Sequence, residues 1–211
     1  MQEALQAEKI RLVMQMRRNG ITDMRVLGAM EAIPREVFVS RPFSDQAYAD
    51  CALPIEKDQT ISQPTVVALM TQELKLSDRH TVLEVGTGSG YQAAILSKLA
   101  RRVHTIERHR ELYDIAQQRF DRLGLRNITT HLGDGALGWK HAAPYDRIMV
   151  TAAAVDVPPF LLEQLGADGV MIIPLGPAAD SQKLYRISKE GEMFVKTPLI
   201  DVRFVPLVEG L

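Results

Sequence analysis

The sequence predicts an α/β fold, a doubly wound and mostly parallel sheet with an N-terminal helical extension and an antiparallel C-terminal part. Three observations carry this. From Thr81 onward, short β-branched or apolar runs alternate with amphipathic stretches, the order that builds a parallel sheet through right-handed crossovers. The first of these runs passes through the glycine-rich turn "GTGSG" (86–90) into a helical pattern. After residue 175 the helical spacing stops and strand-like runs follow one another.

The N-terminal extension spans residues 1–80. Leu5, Ile10, Leu12, Val13 and Met16 recur at helical spacing over 3–18, and Asn19-Gly20 supplies a C-terminal stop. A second helix places Val26, Leu27, Met30 and Ile33 on one face; Thr22 or Asp23 caps it and Pro34 ends it. Residues 34–58 read as a loop. In "DQTISQP" (58–64), Ser62 or Gln63 is placed to cap a helix that starts at Pro64 and runs into "VVALM".

The central part, 81–175, has strand candidates at 81–85, 102–107, 127–132, 146–152 and 169–175, with helices expected at 91–100, 110–123 and 158–165. In the last part, 176–211, "KLYRIS", "MFVKTP" and "DVRFVPL" read as strands, and "KEGE" as a hairpin turn. No internal repeat or linker interrupts the chain, so 1–211 is expected to form one domain.

Composition narrows the chemistry. The 211 residues are 46% hydrophobic and 24% charged, with a net charge of -1, which leaves no basic footprint for nucleic acid or an anionic membrane. The N-terminal stretch carries charges every few residues, and no run of about eighteen apolar residues follows, so a cytoplasmic location is expected. Cys51, the sole cysteine, rules out an intrachain disulfide and reads as a small, semi-buried hydrophobe. The five histidines lack zinc-type spacing, and no metal is expected.

In "VLEVGTGSGYQAAIL" (82–96) the glycines fall at Gly86, Gly88 and Gly90, and Tyr91 stands where a dinucleotide fingerprint wants its third glycine. Glu84 precedes the first glycine by two. A strand, a glycine turn and a helix bring backbone close to a nucleotide-like ligand, although tight turns also use glycine for purely structural reasons. Glu107 closes the next strand, where a carboxylate can accept both hydroxyls of a ribose; it reads equally as a helix-flanking partner of Arg108 or Arg110. "GDG" (133–135) ends the strand after that. Asp134 can accept from an adenine amino group there, or simply make a turn.

The acidic-x-Gly-x-Gly-x-Gly pattern resembles the cofactor loop of class I, Rossmann-like methyltransferases, which bind S-adenosylmethionine. A closer resemblance covers nearly the whole chain: "LPIEKDQTISQP", "VLEVGTGSGYQAAIL", "IER", "GDG", "APYD", "TAAA", "VPPFLLEQL" and "VRFVPL" follow in the order seen in protein-L-isoaspartate O-methyltransferases. "QTISQP" is its most specific element. The resemblance implies that Ser62 is the active-site residue, that Thr60, Glu84, Gly86, Gly88, Gly90, Glu107, Asp134 and Gly135 serve the cofactor, and that Ile61, Ser62, Val202 and Arg203 meet the substrate. The implied substrate is the α-carboxylate of an isoaspartyl residue in a damaged protein or peptide, held extended beside "QTIS" and "VRFVPL". A monomer is expected, without nucleic-acid or membrane partners.

One residue departs from the family pattern: Glu56 stands where a glycine commonly follows "LPI", which raises the questions of that loop's conformation and of a negative charge near the substrate entrance. Two other readings stay open at this level, a class I methyltransferase acting on a small molecule or RNA, and a non-catalytic adenosyl-ligand binder.

Overall fold

The computed structural model describes residues 2–177, 181–208 and 210. Helices α1 (Gln2–Arg18) and α2 (Met24–Ala32) open the chain. The turn between them uses Gly20 at φ +91°, with the Ile21 N–H returning to the Met16 carbonyl at 3.0 Å. Of the two candidate caps, Asp23 serves α2: its carboxylate accepts from the N–H groups of Arg25 and Val26. The Thr22 N–H instead donates to Gln72 Oε1 at 2.8 Å, tying the start of α2 to a later helix.

The stretch 34–58 is more structured than expected. It contains three 3-10 turns, at Arg35–Val37, Arg41–Gln46 and Glu56–Asp58, and strand β1 (Leu53–Pro54), which pairs antiparallel with β2 (Thr60–Ile61). Cys51 is exposed, against the expectation of a semi-buried side chain.

Helix α3 (Pro64–Glu73) starts at the expected proline, but neither Ser62 nor Gln63 caps it with its side chain. Asp50 does so from the preceding loop. Its Oδ1 accepts from the Thr65 N–H at 2.8 Å, and its Oδ2 accepts from the Thr65 hydroxyl at 2.7 Å and Gln63 Nε2 at 3.2 Å. The Ser62 hydroxyl is thereby left out of the capping arrangement.

Strands and helices then alternate: β3 (Thr81–Val85), α4 (Tyr91–Ser97), β4 (Arg102–Glu107), α5 (Arg110–Arg122), β5 (Ile128–Leu132), β6 (Tyr145–Val150), α6 (Pro159–Glu163) and β7 (Leu165–Leu175). α4 and α6 end earlier than the spacing predicts. Residues 165–168 join β7, because Leu165 pairs with Tyr145 on β6 across an irregularity in register. β8 (Gln182–Glu190) and β9 (Met193–Val202) form the expected hairpin, turning at Gly191 with φ +62°.

The sheet runs β5-β4-β3-β6-β7-β8-β9, parallel from β5 to β7 and antiparallel beyond. "DVRFVPL" does not make a third C-terminal strand. β9 ends at Val202, and the chain after it crosses back to the strand ends, where Pro206 bridges Ala153. α4 and α5, with the N-terminal helices, cover one face of the sheet through Ile95, Leu96, Leu112 and Phe120; α6 and Trp139 pack on the other against Leu83, Val85 and Ile148. β3 is buried on both faces, as a central parallel strand should be. Leu83, Ile95 and Leu96 are 0% exposed, and each such side chain contributes about 2 to 3 kcal/mol.

The chain winds outward from β3 to β4 and β5 and then returns to β6 on the other side of β3. The crossovers therefore diverge at the carboxyl end of β3, which opens a crevice there.

Since Asp50 caps α3, Asp50→Ala should lower the unfolding free energy by about 1 to 2 kcal/mol, and Ser62→Ala by less than about 0.5 kcal/mol. Urea denaturation of the two variants checks this ordering.

Candidate active site

The crevice is a cleft enclosing about 850 Å³, part of it open to solvent. Four segments make most of its wall: the glycine turn from Gly86 to Ser89 with Tyr91, the end of β4 from Ile106 to His109, the strand-like segment Gln59 to Ser62, and the C-terminal segment Val205 to Val208; Val67, Gly135, Thr151 and Ala152 add to it.

The glycine turn is stitched to both neighbouring strands. The N–H groups of Gly86 and Thr87 donate to the Ile106 carbonyl at 2.9 and 3.1 Å. On the other side the Thr151 hydroxyl donates to the Gly86 carbonyl at 2.6 Å, so closely that a Cβ on Gly86, at φ +96°, would overlap it. Glycine is required here by the approach of Thr151 as well as by the dihedral. Gly90 has a different reason. At φ +88° it begins α4, and a Cβ there would lie 2.9 Å from the Phe120 ring on α5. The third glycine therefore belongs to helix packing and does not line the cleft.

Glu107 does line it. Its Oε2 accepts from the Gly88 N–H at 2.8 Å and its Oε1 from the His109 N–H at 2.9 Å. Neither Arg108 nor Arg110 forms an ion pair with it among the described residues; Arg110 pairs with Asp114. Two backbone donors thus fix the carboxylate at the cleft wall, and a carboxylate has about four lone-pair sites, so acceptor capacity remains for two ligand hydroxyls.

Glu84 lies elsewhere. It is wholly buried beneath the turn, 0% exposed, and accepts a hydrogen bond from the Thr105 hydroxyl, which itself lies 2.6 Å from the Thr87 hydroxyl. Burial pushes its carboxyl up to about 8; the Thr105 bond opposes the shift and the Glu107 charge adds to it. Asp134 does not line the cleft either, although Gly135 does. Its Oδ1 caps the 3-10 turn Gly135–Leu137 through the Ala136 N–H at 2.9 Å, and its Oδ2 accepts from the Gly210 N–H at 2.6 Å.

That last bond belongs to a feature the sequence did not reveal. The segment after β9 is strapped over the strand ends: the Ala153 N–H donates to the Val205 carbonyl at 2.8 Å, the Leu207 N–H to the Ala153 carbonyl at 2.7 Å, and Arg108 Nη1 to the Val208 carbonyl at 3.0 Å. Val205 to Val208 reach the cleft in consequence. Val202 and Arg203 do not, since Val202 is buried in the core and Arg203 points to solvent. Of "VRFVPL", the second half lines the cleft and the first half does not.

Thr60, Ile61 and Ser62 all line the cleft opposite the glycine turn. The Ser62 carbonyl accepts from Arg35 Nη2 at 2.9 Å, while its hydroxyl has no hydrogen-bond partner among the described residues. Glu56 stays outside. Its Oε1 accepts from the Ser40 hydroxyl at 3.3 Å and its charge faces Arg119. The left-handed residues of this loop are Lys57 and Asp58, so the backbone makes no demand for glycine at position 56. Tyr91, Ile106, His109 and Thr151 also line the cleft; the first two and Thr151 stand in quoted motifs without a site role being read for them, and for His109 adjacency to Glu107 was the available signal. No cluster of three His, Cys, Asp or Glu side chains able to hold a metal occurs among the described residues.

The sequence model of the family "Protein-L-isoaspartate(D-aspartate) O-methyltransferase (PCMT)" matches residues 7–211. A protein-L-isoaspartate O-methyltransferase of Paramagnetospirillum magneticum is 55% identical over 203 residues, which is 96% of this chain and 95% of that protein. Among solved structures, a protein-L-isoaspartate O-methyltransferase superposes with a TM-score of 0.85 at 31% identity over 94% of this chain, which spans 65% of that longer one. A Plasmodium falciparum protein, described as a β-aspartate methyltransferase in complex with S-adenosyl-L-homocysteine, gives 0.84 at 26% identity and covers 95% of this chain and 98% of its own.

The buried Glu84 generates a pH prediction. Its carboxyl has an ordinary value of 4.5 and a folded one of about 8, so between these values the folded state binds more protons than the unfolded state. This group's contribution makes stability fall as pH rises through that window. Glu84→Gln removes the contribution. The difference in unfolding free energy should therefore move in favour of the variant by up to about 1.4 kcal/mol per pH unit between about pH 5 and 7, measured by urea denaturation at each pH. A difference that does not vary with pH would mean that Glu84 is already ionised in the folded protein.

Proposed function

Because the chain belongs to the protein-L-isoaspartate(D-aspartate) O-methyltransferase family, we propose that it is a protein repair enzyme, methylating the α-carboxylate of L-isoaspartyl residues in damaged proteins and peptides. The observation that carries this reading is Ser62, which lines the same cleft as the glycine turn and Glu107 and whose hydroxyl has no hydrogen-bond partner among the described residues.

The cleft residues fit S-adenosylmethionine. Glu107 keeps acceptor capacity for ribose hydroxyls, Gly86 and Gly88 present bare backbone for the methionine part, and Gly135 offers backbone at the purine end. Thr60 lines the wall where the two ligands would adjoin. Glu84 and Asp134 serve this site indirectly, the first by supporting the turn through Thr105 and Thr87, the second by holding the C-terminal strap. When bound, the cofactor supplies an electrophilic methyl group on a sulfonium.

The protein's own task is placement. A peptide carboxylate is already ionised at neutral pH, so no general base is needed. The Ser62 hydroxyl donates a hydrogen bond to one carboxylate oxygen and leaves the other free to attack in line. Ile61 and the strap residues Val205 to Val208 provide apolar walls beside it, which suits an extended peptide read through its backbone. Residues 1–211 act here as one catalytic unit, a cytoplasmic monomer working on proteins and not on nucleic acids or membranes; the net charge of -1 supports the last point.

Methyl transfer from radiolabelled S-adenosylmethionine to an isoaspartyl peptide, with the matched aspartyl peptide as control, tests the function. The isoaspartyl peptide should be methylated and the aspartyl one essentially not, because the extra main-chain methylene shifts the carboxylate relative to the fixed donor. Equal rates on the two peptides would point to a general carboxyl methyltransferase. Ser62→Ala should lower turnover by roughly ten- to a thousandfold, with the unfolding midpoint nearly unchanged. Normal turnover in that variant would remove Ser62 from the reaction.

A further inference from the structure

Arg35 is the largest fully buried side chain among the described residues, 0% exposed. It follows Pro34 in the 3-10 turn Arg35–Val37 and passes behind the segment that carries Ser62. Its Nη2 donates to the Ser62 carbonyl at 2.9 Å, and its Cζ lies over the Tyr91 ring, 4.8 Å from the ring centre. Tyr91 in turn is the cleft residue that starts α4. The other two nitrogens, Nε and Nη1, are buried without any hydrogen-bond partner.

An arginine in this setting stays charged, since guanidinium is not deprotonated in proteins. Among the described residues no carboxylate forms an ion pair with it. Asp50 is near enough to favour the charge, yet its oxygens are occupied by Thr65 and Gln63. A buried, half-satisfied cation costs stability, and a hydrophobic residue would fill the same space without that cost. The missing anion is the one that the proposed reaction brings in. A carboxylate bound at the Ser62 hydroxyl would meet the residue whose carbonyl this guanidinium holds, in a region where screening by water is weak.

We propose that Arg35 is a positioning and charge-selecting residue for the substrate: stacked on Tyr91, it holds the Ser62 backbone through the carbonyl bond, and its unpaired charge favours a carboxylate over a neutral group at that position. The proposal rests on the functional reading above and concerns what makes the site select an anion.

The test measures binding to enzyme saturated with S-adenosylhomocysteine, using an isoaspartyl peptide and the same peptide with its α-carboxylate replaced by a carboxamide. Wild type should bind the carboxylate at least about tenfold more tightly. In Arg35→Met, which keeps the length and loses the charge, this preference should fall below about threefold, while affinity for S-adenosylhomocysteine stays within about twofold and KM rises more than kcat falls. A variant that retains the preference overturns the proposal. So does a wild type without preference.

If Arg35→Met fails to bind S-adenosylhomocysteine, Arg35→Lys decides. A buried lysine with no carboxylate partner loses its proton within the accessible range, so the carboxylate preference should decline as pH rises from about 6 to 9. A full preference at every pH in that variant overturns the proposal too. Methyl transfer to the isoaspartyl peptide by wild type separates the two failures: its presence with no charge preference strikes Arg35 alone, and its absence strikes the functional reading and the proposal together.

Discussion

The turn from β3 into α4 must lie within hydrogen-bonding distance of two strands at once, and the site is arranged around that constraint. Ile106 of β4 accepts two N–H groups from the turn, and Thr151 beyond β6 holds it from the opposite side. No side chain fits between Gly86 and Thr151. With the turn clamped in this way, the Gly88 N–H is aimed at Glu107, and the Glu107 carboxylate is locked before any ligand arrives. Such preorganisation lowers the ordering cost of binding.

Two further segments complete the cleft, and both come from distant sequence. The C-terminal strap is held by backbone bonds to Ala153 and by Asp134 and Arg108. The segment carrying Ser62 is held by the β1 and β2 pair, by Arg35 from behind and by Asp50 through the first turn of α3. Because Asp50 takes over the capping task, Ser62 and Gln63 are released from it. A carboxylate fifteen residues before Thr65 satisfies the helix, and the Ser62 hydroxyl takes no part in the cap.

Charge is distributed unusually around this centre. Glu84 and Arg35 are both fully buried, and neither has an ionic partner among the described residues. The carboxyl answers by holding its proton, as its raised value of about 8 requires. The guanidinium has no such option and keeps its charge. One buried group is thus neutralised internally, and the other leaves a positive field behind the serine.

Residue pattern alone determined a good part of this. The alternation after Thr81, the hairpin at Gly191 and the helix starting at Pro64 are local properties of side-chain spacing and backbone freedom, and they stand where expected. The glycine turn, Glu107 and the "QTIS" segment were also legible, since each is a motif at the end of an element. Tertiary structure decided the rest. Whether Gly90 meets a ligand or Phe120, whether Asp134 faces the cleft or holds Gly210, and whether Val202 or Val205 lines the wall depend on contacts between elements far apart in the chain. The capping of α3 by Asp50 and the burial of Arg35 behind Ser62 are of the same kind. Short-range spacing encodes where an element begins and which face is apolar, but a side chain's partner across the fold is selected by packing, and packing exists only once the sheet has assembled.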